Sequence, residues 1–313
     1  MGDCDRYYDF VGWIDLIFVL GRRFATSIFF ATVIACSGSV SDYAPTPSEI
    51  KTDLRLVTLS PHLAELVFAV GAGDMLVGVS EYTDYPPPAA ELPIIGDALR
   101  VDQERLILLE PDLLLAWNSG NPRHVIDNLR ALGFSVELIR TNSIDDLPAA
   151  LRRIGELTGR APQARQVAAD FSAHLEVIAA EYAAAEPVRV FYQLDARPLY
   201  TINGDHFVSE LIQVCGGTNI FSDLRGLAPS VSVEAVLERD PEVIMASSDA
   251  GLAAFNEWDR WKELAANRYG NRFYLPANEI SRATPRLLVA AKKLCAFLDK
   301  GRKNRQESKN ETD

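Results

Sequence analysis

Short apolar runs alternate with amphipathic segments along the body of this chain. Leu56-Val57-Thr58-Leu59-Ser60 reads as a buried strand that runs into Pro61 and a helix over Leu63–Val70, with a second strand at Leu76–Ser80. A Tyr/Pro-rich loop, Glu81-Tyr82-Thr83-Asp84-Tyr85-Pro86-Pro87, follows. A helix over Asp102–Leu109 has Asp102 as its N-cap and stops before Pro111. The strand Asp112–Trp117 ends in an aromatic residue. Helix Pro122–Leu132 carries proline in its first turn and Gly133 after its end. Strand Val136–Ile139 and helix Ile144–Leu157, with Asn142 and Ser143 as candidate caps, complete a first β-α lobe over residues 54–161. Repeated β-α units imply a mainly parallel sheet.

Residues 162–186 then form a long glycine-free helical pattern, with Val167, Phe171, Leu175, Ile178 and Tyr182 on one apolar face. Roughly 24 helical residues span about 36 Å, enough to cross a domain. Its length and its position between two α/β patterns favour a connecting helix, with an ordinary surface helix of one lobe as the alternative. The second lobe, residues 187–300, repeats the logic with strands at Val188–Leu194, Val243–Ala246 and Phe273–Pro276. Its helices fall at Phe207–Val214, Val233–Glu238 (N-capped by Ser232), Phe255–Ala265 and Pro285–Leu298. A local echo joins the lobes: Leu109-Glu110-Pro111-Asp112 before one buried strand, Arg239-Asp240-Pro241-Glu242 before another. The polar residues 301–313 read as a disordered tail. The fold class is α/β: two Rossmann-like lobes joined by one long helix, with a ligand cleft between them.

The first 36 residues fall outside this pattern. Arg22-Arg23, an apolar run over Phe24–Ala35 and small residues before Cys36 are the elements of a secretory signal. Val-Ile-Ala-Cys resembles a bacterial lipobox, which makes Cys36 a lipidation candidate; a plain cleaved signal or an uncleaved anchor are the alternatives. Residues 37–53, rich in Ser, Pro and Thr, suit a flexible tether. No later stretch reaches the 18 or so apolar residues of a membrane-spanning helix. The expected location is therefore the periplasm or cell envelope.

Composition narrows the function. The 313 residues are 48% hydrophobic with a net charge of −12, which argues against nucleic acid as a partner. The four histidines share no metal-ligand spacing, and neither a nucleophile elbow nor a Walker or dinucleotide-binding glycine loop follows any strand. No protein-bound metal or cofactor is expected. Cys215 and Cys295 lie on second-lobe helices. In an oxidising compartment a disulfide is the default, closing a loop of about 80 residues, and two buried thiols are the alternative. Pro61, Tyr85 and Trp117 from the first lobe, and Tyr200 and the loop Asn278–Arg282 from the second, converge on strand ends. Aromatic faces with an amide and an arginine suit a large, flat, partly polar ligand.

Five strings carry a resemblance. Leu59-Ser60-Pro61 with Glu65-Leu66, Tyr82–Pro87, Pro111–Trp117, Val214-Cys215-Gly216-Gly217-Thr218-Asn219-Ile220-Phe221 and Arg282-Ala283-Thr284-Pro285-Arg286 occur in order. Together they resemble the cobalamin-binding branch of the periplasmic binding proteins of bacterial ABC importers, over roughly residues 54–300. The resemblance implies a monomer that grips a corrinoid between lobes joined by a rigid helix and delivers it to a permease–ATPase complex. Trp117, Tyr85 and Pro61 would pack on the corrinoid, and Asn278 and Arg282 would bond its side-chain amides. Glu234 matches the second-lobe glutamate that docks on the permease; its first-lobe counterpart falls on Arg123, a charge reversal. Where relatives place Trp, this chain has Ala98 and Ala228, which implies a wider pocket or a different ligand. A ferric-siderophore or haem binder is the alternative within the family. A metal-dependent enzyme and a sensor or adhesion lipoprotein are the readings outside it.

Overall fold

The computed structural model describes residues 53–312; the leader with Cys36, and the tether as far as residue 52, lie outside the described residues. The first lobe runs β1 (Leu56–Thr58), α1 (Pro61–Ala69), β2 (Leu76–Gly78), α2 (Pro87–Ala90), α3 (Gln103–Leu109), β3 (Leu113–Trp117), α4 (Arg123–Ala131), β4 (Val136–Ile139) and α5 (Asp146–Leu157). Its four strands are parallel in the order β2-β1-β3-β4. Helix α6 (Ala161–Tyr182) leads into the second lobe: β5 (Val188–Gln193), β6 (Asp195–Ala196), β7 (Leu199–Tyr200), α7 (Phe207–Val214), β8 (Gly217–Asn219), α8 (Val233–Arg239), β9 (Val243–Ser247), α9 (Ala265–Arg268), β10 (Arg272–Leu275), α10 (Ala277–Ile280) and α11 (Leu287–Thr312). Here too four strands are parallel, ordered β10-β9-β5-β8, and β6–β7 form a separate antiparallel ribbon.

Local chemistry sets the element ends. Asp102 accepts from the Arg105 amide and Ser232 from the Ala235 amide, capping α3 and α8 as their sequences predict. Helix α5 differs: it starts two residues later than expected, and the Asp146 carboxylate accepts from the Asn142 and Ser143 amides. The stretch expected as helix Phe255–Ala265 is a 3-10 segment over Leu252–Arg260 followed by α9. Gln193 fixes that segment by accepting from the Trp258 indole and donating to Ala254 O.

The echo between lobes is structural. Glu110 and Asp240 end α3 and α8 in left-handed conformations, at φ 44° and 39°. Two residues later Asp112 accepts from the Arg55 amide at 2.9 Å, and Glu242 from the Arg189 amide at 3.0 Å. The Arg55 and Arg189 guanidinium groups return to the helix ends, donating to Leu109 O and Asp240 O. One device therefore sets the start of a central strand in each sheet.

Helix α6 buries Phe171 and Ile178 as its periodicity predicts, and adds Ala164 and Ala168, which the apolar spacing alone left out. Those residues share one apolar cluster with Leu66 and Leu151 of the first lobe and Leu211 and Leu294 of the second. The Cys215–Cys295 disulfide ties α7 to α11, with the two Cα atoms 4.8 Å apart. The expected disordered tail from residue 301 is instead the continuation of α11 to Thr312. Arg302 donates to Glu186 O and Cys215 O, and buried Arg305 pairs with buried Glu242 at 2.9 Å. A polar sequence is thus held in place by anchoring its arginines to distant backbone and acid.

Candidate ligand-binding cleft

In parallel α/β sheets, ligands bind beyond the carboxyl ends of the strands. At the carboxyl end of β1, Ser60 precedes α1, and Pro61 opens that helix. His62 is buried: its Nδ1 lies 3.1 Å from Ser60 Oγ, its Nε2 3.2 Å from Thr141 Oγ1, and its ring meets Trp117 edge-on at 5.1 Å. Burial, aided by the charge of Arg282, lowers the imidazole from 6.5 to about 3, so it is neutral. Trp117 ends β3, partly buried. Asn121 accepts from its amide and donates to Leu59 O and Ala98 O, tying together three chain segments. Gly120 lies against the indole so closely that a Cβ there would come within 1.8 Å of it. The indole Nε1–H is buried and has no hydrogen-bond partner among the described residues.

The second lobe reaches across from α10 and the turn after it. Asn278 donates to Asp84 at 2.9 Å. Arg282 donates to Glu65 Oε1 at 2.9 Å, to Asp84 Oδ1, and to Tyr82 O at 2.9 Å. Burial acts to lower the Arg282 pKa, but its hydrogen bonds to Glu65 and Asp84, which accept them, outweigh it and the value rises. Arg286 also reaches Glu65, at 3.3 Å, and its guanidinium stacks 4.3 Å over the Tyr85 ring. Beside this cluster, a cavity of about 320 Å³ lies among Phe68, Tyr85 and Pro285.

Tyr85, Asn278 and Arg282 join one cluster through Asp84, Glu65 and Arg286, while Trp117 packs on His62, which adjoins Pro61 and feels the charge of Arg282. Tyr200 stands apart on the β6–β7 ribbon, bridged to Ser230; among the described residues no hydrogen bond, ion pair or ring contact ties it to that cluster. Glu65 and Asp84 were missed as partners of Arg282. Glu65 left one signal, a lone acid in the apolar run Leu63-Ala64-Glu65-Leu66-Val67. Ala98 and Ala228 carry no bulk at the positions where the resemblance expects tryptophan. Among the described residues no group of three His, Cys, Asp or Glu side chains is arranged to hold a metal ion.

A family model for periplasmic binding proteins matches residues 56–279. The chain belongs to the periplasmic binding protein family. Members of this family are binding proteins of transport systems, not enzymes. A vitamin B12-binding protein of Vibrio cholerae is 36% identical over 255 residues, covering 81% of this chain and 90% of the relative. Another from Vibrio parahaemolyticus is 34% identical over 252 residues, covering 80% and 91%. The crystal structure of the periplasmic vitamin B12-binding protein of Vibrio cholerae matches with a TM-score of 0.72 at 35% identity, over 80% of this chain and 98% of that one. A periplasmic heme-binding protein from Roseiflexus matches with a TM-score of 0.71 at 23% identity, over 80% and 99%, and shares the fold alone.

Proposed function

We propose that this chain is the substrate-binding component of an ABC importer that captures cobalamin or a related corrinoid between its lobes and hands it to a membrane permease. The observation that carries the reading is the second-lobe pair Asn278 and Arg282 meeting the Tyr82–Tyr85 loop of the first lobe. Aromatic surface and paired polar donors at one cleft suit a large ring bearing amides, since stacking supplies area and the donors fix orientation. The vitamin B12-binding relatives support the same ligand class. In this reading Pro61, Tyr85 and Trp117 pack on the corrinoid, Asn278 and Arg282 bond its amides, and Tyr200 contacts it from the ribbon. Glu234 docks on the permease, Cys36 carries a lipid anchor, and the exported protein works as a monomer.

The test is a calorimetric titration of purified protein against cyanocobalamin, cobinamide, haem and a ferric siderophore. Sub-micromolar binding of a corrinoid, unchanged in metal-free buffer, is the expected result. Saturable haem binding with no corrinoid binding would replace the ligand.

A further inference from the structure

The polar cluster at the cleft is balanced in charge. Two guanidinium groups, Arg282 and Arg286, face two carboxylates, Glu65 and Asp84. The four differ in access. The Glu65 side chain is 2% exposed, Arg282 is 13% and Arg286 is 24%, whereas Asp84 is 48%. The charge this cluster offers to solvent is therefore chiefly the Asp84 carboxylate. Glu81, exposed on the same loop, has the same sign.

Asp84 also occupies the two second-lobe donors that a ligand would use. Asn278 donates to its Oδ2 and Arg282 to its Oδ1. A carboxylate has about four acceptor positions, so Asp84 can still take a further N–H. A primary amide matches this arrangement, because its NH₂ donates to Asp84 while its carbonyl accepts from Asn278. A carboxylate has acceptors only. It would meet Asp84 charge to charge, and Arg282 has no surplus positive charge with which to attract it.

Resting on the corrinoid reading above, we infer that Asp84 sets ligand specificity by charge, admitting amide-bearing side groups and rejecting carboxylate-bearing ones at the Asn278–Arg282 end of the cleft. A charge fixed in a binding site discriminates against a ligand that places a like charge beside it.

The experiment compares cyanocobalamin with its isomeric monocarboxylic acids, each with one peripheral amide hydrolysed, by calorimetry near neutral pH. The unaltered protein should bind the amide at least about tenfold more tightly than one of the acids, a difference of about 1.4 kcal/mol. Asp84→Asn should shrink that ratio to within about threefold, mainly by tightening the acid, because the repelling charge is gone. Asn278→Asp adds a charge of the same sign and should widen it. An unchanged ratio in a folded Asp84→Asn protein overturns the inference, as does equal binding of amide and acid by the unaltered protein. If Asp84→Asn does not fold, Asn278→Asp decides: a wider ratio supports the inference and an unchanged one overturns it. Failure to bind any corrinoid form, with haem still bound, overturns the corrinoid reading and this inference with it.

Discussion

Glu65 and Arg282 stand 217 positions apart in sequence and meet across the two lobes in a 2.9 Å hydrogen bond. The acid sits on α1, one turn after Pro61, and the arginine follows α10. Neither has meaning as a charge without the other, since each is largely withdrawn from water.

Replacing Glu65 with alanine leaves Arg282 and Arg286 without their shared acceptor. The expected loss is about 3 kcal/mol, because removing one member of a buried pair strands the other. Glu65→Gln keeps an acceptor oxygen and should lose less. Urea unfolding of the three proteins measures the difference; a loss within experimental error for Glu65→Ala would mean that this pair does not hold the lobes together.

Acid should destabilise the protein earlier than its carboxylates alone would require. Burial lowers His62 to about 3, with Arg282 assisting, and lowers His206 to about 4. Both values lie below the 6.5 of an ordinary histidine, so the unfolded chain takes up protons first. The contribution is complete above about pH 6.5 and is lost as pH falls from that value toward about 4 for His206 and about 3 for His62. Each histidine adds a slope approaching roughly 1.4 kcal/mol per pH unit in that window. Glu242 acts lower on the scale: burial raises its carboxyl, but hydrogen bonds from the Arg189 amide and Arg305 outweigh that. Denaturant unfolding from pH 7 to 4 should therefore flatten in His62→Gln; an unaltered slope would mean that His62 is not held neutral.

The disulfide closes a loop with 80 positions between its ends, worth roughly 4 kcal/mol in the chain-entropy model. Reduction should lower the melting temperature without altering the first lobe. Non-reducing peptide mapping should recover Cys215 joined to Cys295, and recovery of both as free thiols from exported protein would contradict the bond.

Glu234 lies exposed in the first turn of α8, and Arg123 lies exposed in the first turn of α4. A hydrogen bond from its own amide, and then one from Ser232, lowers the Glu234 carboxyl. A helix N-terminus favours the negative charge there and not the positive one at Arg123. Glu234→Ala should impair uptake in reconstituted vesicles and leave ligand affinity intact, while Arg123→Glu should be tolerated or alter transporter preference. Full uptake by Glu234→Ala would remove this residue from docking; loss of ligand affinity would assign it to the cleft.

Much of the fold was legible because its signals are local. Asp102 and Ser232 announce their helices by the residues beside them, and the Glu110-Pro111 and Asp240-Pro241 steps mark where helix gives way to strand. What stayed hidden depends on partners far along the chain. Arg305 looks like one more charge in a polar tail until Glu242, 63 positions earlier, is found against it. Asp84 reads as a loop residue until Asn278 and Arg282 arrive from the other lobe. The 3-10 course of Leu252–Arg260 depends on Gln193, whose amide fixes that segment from β5.

The place of α11 also orders assembly in time. The first lobe is one contiguous stretch whose sheet is complete at Ile139 and whose covering helix ends at Leu157. The second lobe buries Leu287, Ala291, Leu294 and Leu298 of α11 together with Leu211 and Ile212 of α7, and receives Arg305 into its interior. During synthesis, or passage through a secretion channel, the first lobe can therefore close while the second still waits for residues beyond 287. Chains stalled in that interval expose the apolar faces of α7 and β5, and these are the surfaces a chaperone would have to cover.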